Sequence, residues 1–110
     1  MMSDFQQLYV GEEGYVVRCT DCGYLQCAFG SIVLTLQAED FRTLMQLAGT
    51  QLEHVSLNVS KNMKQYWLPT AHSGVNMLLT LDELRQFHHM LEKADTEMAV
   101  HALMGLFADV

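Results

Sequence analysis

The chain has 110 residues, of which 50% are hydrophobic, 17% are charged and one is proline, a composition that excludes a disordered segment and suffices for one domain with a real core. Thirteen acidic against six basic residues give a formal charge of −7, and the scatter of Arg18, Lys61 and Lys64 argues against nucleic acid as a partner. No apolar run reaches the roughly eighteen residues of a membrane span, and MMSDFQQ lacks the basic start and apolar stretch of a signal peptide, so a cytosolic protein without a membrane partner is expected.

In chain order, DFQQLYV and YVVRC flank GEEG, two runs of strand-forming residues around a glycine-bounded turn, which predicts a hairpin. TDCG is a second turn composition, followed by YLQCAFG and SIVLTL. Alternation puts Leu25, Cys27 and Phe29 on one strand face and Ile32, Leu34 and Leu36 on one face of the next, and both faces are expected in the core. From Ala38 the period changes. Phe41, Leu44, Met45 and Ala48 share one helical face, and Gly49 stands where a C-terminal cap would fall, so a helix is predicted over 38–49. HVSLNVS then alternates Val55, Leu57 and Val59 against His54, Ser56, Asn58 and Ser60, predicting a strand with one wet face.

SKNMK is a turn, and QYWLPT is a strand whose Pro69 marks an edge or an end, since proline donates no ladder hydrogen bond. After TAHSG and VNMLLTL, Thr80 and Glu83 form a capping box that opens a second helix with Leu84, Phe87, Leu91 and Ala94 as its apolar stripe. Asp95 and Thr96 offer a fresh cap for a third helix carrying Met98, Ala99, Ala102, Leu103, Leu106 and Phe107. With no Gly or Pro at this junction, one bent helix accommodates the same pattern.

GSIVLTLQAEDFRTLMQLA and GVNMLLTLDELRQFHHMLE both read glycine, apolar strand, Leu-Thr-Leu, acidic start and amphipathic helix. They suggest two strand-strand-helix units, 15–49 and 54–94, although any two strand-to-helix passages share much of this pattern. The expected architecture is a single α+β domain over 1–110: an antiparallel sheet, built in this reading from the two units, with two or three helices packed on one face.

All three cysteines lie in VVRCTDCGYLQCAFG. Cys19-Thr20-Asp21-Cys22-Gly23 has the form of a zinc knuckle, in which a tight turn aims two thiolates at one ion. A closed site needs four ligands. Cys27 is the obvious third, yet it lies on an apolar face where cysteine behaves as a small hydrophobe. His54, His72, His88, His89 and His101 stand at no ligand spacing from one another, since adjacent helical residues point about 100° apart. A thioredoxin-like centre places its first cysteine at a helix start, whose positive end lowers the thiol pKa, whereas this pair sits between predicted strands. A strand turn with free thiols is therefore the plainer reading of Cys19 and Cys22. Zinc is the one cofactor they suggest.

YWLPTAHSG groups Tyr66, Trp67 and His72 in a composition suited to a pocket rim or interface anchor, and equally to covering a sheet edge. No serine-histidine-acid set, phosphate-binding glycine loop or metalloprotease helix is present, and the acids at 39, 40, 82 and 83 are accounted for as helix starts. Eight methionines and the stripe with Met98, Leu103 and Phe107 point to helix-mediated contacts.

The run CTDCGYLQCAFGSIVLTLQAEDF, Cys19 to Phe41, resembles the N-terminal signature of a family of small uncharacterised bacterial proteins, with a looser likeness through the Leu-Thr-Leu-Asp-Glu-Leu helix start. Ser31 stands where that pattern has asparagine. The resemblance implies a bacterial single-domain protein and carries no activity. The functional expectation is thus a non-enzymatic binding or interaction module that self-associates or takes an unidentified protein partner. Its rival is a zinc-binding or thiol-dependent protein using Cys19 and Cys22 with Cys27 or a histidine.

Overall fold

The computed structural model describes residues 5–55 and 62–108, the last two by backbone only. The strand formers before residue 37 make a meander of β1 (Phe5–Val10), β2 (Gly14–Cys19), β3 (Leu25–Phe29) and β4 (Ile32–Leu36), antiparallel neighbours in chain order. Val16, Cys27 and Leu34 pair in one row across β2, β3 and β4, so the alternation seen in each strand places all three on the same side. That side is the core side: in β4, Leu34 and Leu36 are buried while Val33 and Thr35 are exposed.

Helix α1 (Ala38–Glu53) begins at Gln37, whose carbonyl accepts from the amide of Phe41 at 2.9 Å but whose side chain provides no cap. Phe41, Leu44 and Ala48 are its buried face, as the spacing predicts. It does not stop at Gly49. That glycine lies against the other helix: a Cβ there would stand 3.0 Å from Nε2 of His88, so the missing side chain leaves room for the His88 ring, at roughly 1 kcal/mol of helix propensity. The helix instead closes at His54, whose amide donates to the Gln51 carbonyl at 3.1 Å. The strand expected over 54–60 lies outside the described residues, except that His54 and Val55 are the end of α1 and the residue after it.

β5 (Tyr66–Pro69) and β6 (Asn76–Leu79) form a separate two-stranded antiparallel sheet, with Pro69 at the end of its strand. The expectation of one shared sheet is therefore corrected. The hairpin meets β4 through a side chain, His72 Nε2 lying 3.1 Å from the Thr35 carbonyl, rather than through a ladder. It is also held by α1, where Gln51 Nε2 donates to the Trp67 carbonyl at 2.5 Å.

Helix α2 (Leu81–Ala108) is one continuous element, so the described residues contain two helices. Its capping box is formed: the Thr80 amide donates to Glu83 Oε1 at 2.9 Å, and the Glu83 amide donates to Thr80 Oγ1 at 3.1 Å. Thr96 starts no new helix, because its hydroxyl donates back to the Glu92 carbonyl at 3.0 Å inside the helix. One hydrophobic cluster joins both sheets and both helices, with Phe29 and Phe87 edge to face at 5.1 Å. Among the described residues, no helix is long and apolar enough to cross a membrane.

Candidate functional site

The end of β2 is a tight turn built by the sequence Cys-x-x-Cys-Gly. Gly23 adopts φ of 80°, open to glycine without strain, and its amide donates to the Cys19 carbonyl at 2.8 Å. The Cys19 amide in turn donates to the Tyr24 carbonyl at 2.8 Å. This closure brings the two sulfur-bearing residues together, with the Cys22 amide donating to Cys19 Sγ at 3.2 Å.

The thiols are unequal. Hydrogen bonds to Cys19 from the Cys22 thiol, and secondarily from the Cys22 and Asp21 amides, hold its pKa below the ordinary thiol value against partial burial and the Asp21 charge. Cys22, as the thiol donor to that sulfur, is raised. Cys19 is 8% exposed, while Cys22 is open to solvent. Cys27 lies apart from them, fully buried between Val16 and Leu34, where burial pushes its thiol up to about 12. Of the three candidate ligands, the fold joins Cys19 and Cys22 and keeps Cys27 in the core.

Cys19 opens onto a cleft of about 500 Å³ between the turn, the start of α1 and the far half of α2. Its walls are Arg18, Cys19, Thr20 and Gly23 on one side, Ala38 and Arg42 on the second, and Asp95, Met98, Ala99 and Ala102 on the third. A smaller cavity of about 190 Å³, lined by Cys22, Gly23, Tyr24, Gln37 and Ala38, adjoins the turn. Ala38, the first residue of α1, borders both cavities, so the positive end of that helix lies beside the cysteine pair. The local sequence places the pair between strands; the helix end comes from a separate part of the chain. Sequence reasoning did not single out Arg42 and read Asp95 only as a helix cap, because no motif links either to the turn.

The histidines lie elsewhere. His54 Nδ1 is 2.8 Å from the Thr50 carbonyl, His72 Nε2 is 3.1 Å from the Thr35 carbonyl of β4, His88 is 3.4 Å from Glu92, His89 meets Tyr9 edge-on at 6.2 Å, and His101 is 2.9 Å from Glu97. Among the described residues, no group of three or more His, Cys, Asp or Glu converges to hold a metal ion.

Tyr66 is half-buried, while Trp67 is 61% exposed on the outer face of the hairpin opposite Leu78. The fold does not gather Trp67 and His72 into one pocket, since His72 sits in the turn with its ring on the Thr35 carbonyl. On α2, Met98 is buried at the cleft and Leu103 is exposed, while the Phe107 side chain lies outside the described residues. From Ala99 to Leu106, all residues but His101 are exposed. Compared with known proteins, the chain matches no family model, no curated protein and no solved structure.

Proposed function

We propose that this chain is a non-enzymatic interaction module of the small bacterial family that Cys19–Phe41 resembles, self-associating in the cytosol through the C-terminal half of α2. The observation that carries this reading is the apolar end of that helix: Val100, Leu103, Met104 and Leu106 are 40%, 54%, 63% and 69% exposed. Burying a large apolar side chain returns about 1.5–3 kcal/mol, which this segment forgoes in the single chain. Met98 to Phe107 also contains no Asp, Glu, Lys or Arg. Two copies can lay the segment against itself about a two-fold axis. Sedimentation equilibrium is expected to give a dimer mass, returned to monomer by Leu103→Glu with Leu106→Glu while the circular dichroism is kept. A wild-type monomer at high micromolar concentration overturns the reading.

One specific observation favours a second reading, a thiol-dependent or zinc-binding protein: the hydrogen-bonded Cys19 and Cys22 at the edge of a cleft. Elemental analysis of protein made without an affinity tag separates its two forms. Stoichiometric zinc that is lost in Cys22→Ser supports metal binding; metal-free protein with reactive thiols supports thiol chemistry.

A further inference from the structure

We propose that the cleft beside Cys19 is a thiol–disulfide exchange site for small disulfides bearing amino-acid head groups, with Cys19 as the attacking sulfur and Cys22 as the resolving one. The proposal rests on the thiol reading of the pair and is independent of self-association.

Three features carry it. The first is the pair itself. Cys19 and Cys22 lie in one turn closed by the Gly23 amide on the Cys19 carbonyl, and the Cys22 amide reaches Cys19 Sγ at 3.2 Å, which keeps the two cysteines adjacent. The second is access. Cys19 lines a cleft whose volume, about 500 Å³, falls in the usual range for small-ligand sites. Cys22 borders the adjoining cavity, within reach of the same sulfur.

The third is charge. In a chain with thirteen acids and six bases, two of the six bases, Arg18 and Arg42, line this one cleft. Arg18 donates to a neutral amide oxygen, Gln6 Oε1, and among the described residues no ion pair engages either guanidinium. Among the described residues, Asp95 on α2 is the single carboxylate of the lining. Two guanidinium groups and a carboxylate on one cleft match a ligand that carries both carboxylate and ammonium. Met98 and Ala102 supply apolar wall for the carbons between head group and sulfur. The Cys22 hydrogen bonds favour the Cys19 thiolate, the nucleophilic form.

The exchange balances with the groups named. Cys19 thiolate attacks one sulfur of R–S–S–R; that S–S bond breaks, one R–S⁻ departs and a Cys19–S–S–R mixed disulfide forms. The Cys22 thiol gives its proton to the departing thiolate and attacks Cys19 Sγ, releasing the second R–S⁻ and leaving a Cys19–Cys22 disulfide. Two electrons pass from the dithiol to the small disulfide, and excess free thiol reverses the exchange.

The test uses oxidised glutathione and, as the uncharged control, hydroxyethyl disulfide, each rate being divided by its rate with a free small thiol. In Cys22→Ser, a glutathionyl adduct is expected at Cys19 by peptide mass mapping, forming about tenfold faster than the hydroxyethyl adduct. In that background, Arg42→Gln and Asp95→Asn are each expected to lower the ratio of the two rates about fivefold. The wild type, which needs no variant to fold, is expected to finish as the Cys19–Cys22 disulfide without retained adduct. Equal normalised rates that ignore Arg42→Gln overturn the substrate class while leaving the thiol reading in place. A folded protein whose Cys19 and Cys22 both stay reduced overturns the thiol reading with it.

Discussion

A methyl group at Gly14 would stand 1.8 Å from the Ala28 carbonyl oxygen, and that oxygen belongs to backbone held in place by the β2–β3 ladder. No side-chain motion relieves such a contact. Gly23, at φ of 80°, has open space around its missing Cβ, so alanine there meets only backbone strain, about 1–2 kcal/mol. Gly14→Ala is expected to cost more than Gly23→Ala, about 3 kcal/mol, in urea denaturation with an unchanged slope. Equal losses would remove the steric explanation. Both glycines flank turns in the sequence, but only the partner strand distinguishes them. Cys27, by contrast, was legible as a core residue from its place between Leu25 and Phe29, since alternation alone assigns its face.

The start of α2 shows how far local chemistry reaches at the scale of one element. The capping box lies within four consecutive residues, Thr80 to Glu83, and was readable without knowing any packing. Thr80→Ala removes the acceptor for the Glu83 amide and should cost about 1 kcal/mol. In a chain of this size, that lowers Tm by about 4 °C, measurable by thermal circular dichroism. Glu83 also pairs with Lys64 at 2.5 Å, and this pair first, then the Thr80 amide, holds its carboxyl below the ordinary value of 4.5. The folded-state value is the lower one, so the stabilisation is complete above the unfolded value and disappears as pH falls through the folded one. Stability between pH 4.5 and more acid conditions should therefore fall less steeply in Glu83→Gln than in wild type. With both partners partly exposed, at 53% and 35%, the Lys64 pair contributes under about 1 kcal/mol. Helix ends without such local signatures were less readable. Gly49 has the composition of a terminator, yet α1 continues through it to Glu53, with the missing Cβ against the His88 ring. Thr96 has the composition of a cap, yet its hydroxyl is satisfied by the preceding turn.

At the scale of the whole molecule, α2 outlasts the core it covers. Met98 is the last of its described side chains to be buried, and each residue beyond it carries the helix about 1.5 Å further. If a second copy covers this end, association and folding are linked. Tm should rise with protein concentration in the wild type and stay constant in the Leu103→Glu, Leu106→Glu variant. A concentration-independent wild-type Tm would argue against the linkage. The cleft likewise belongs to the whole molecule, since its walls come from the turn after β2, the start of α1 and the second half of α2. Sequence alone determined the strand and helix faces, the capping box, the turn at Cys19–Gly23 and the buried place of Cys27, because periodicity and short-range hydrogen bonding act within a few residues. Tertiary structure alone decided that the strands divide into two sheets, that α1 runs on past Gly49, and that a helix end, two arginines and Asp95 surround Cys19. Those outcomes depend on which surfaces meet across distant parts of the chain, and no local spacing encodes that meeting.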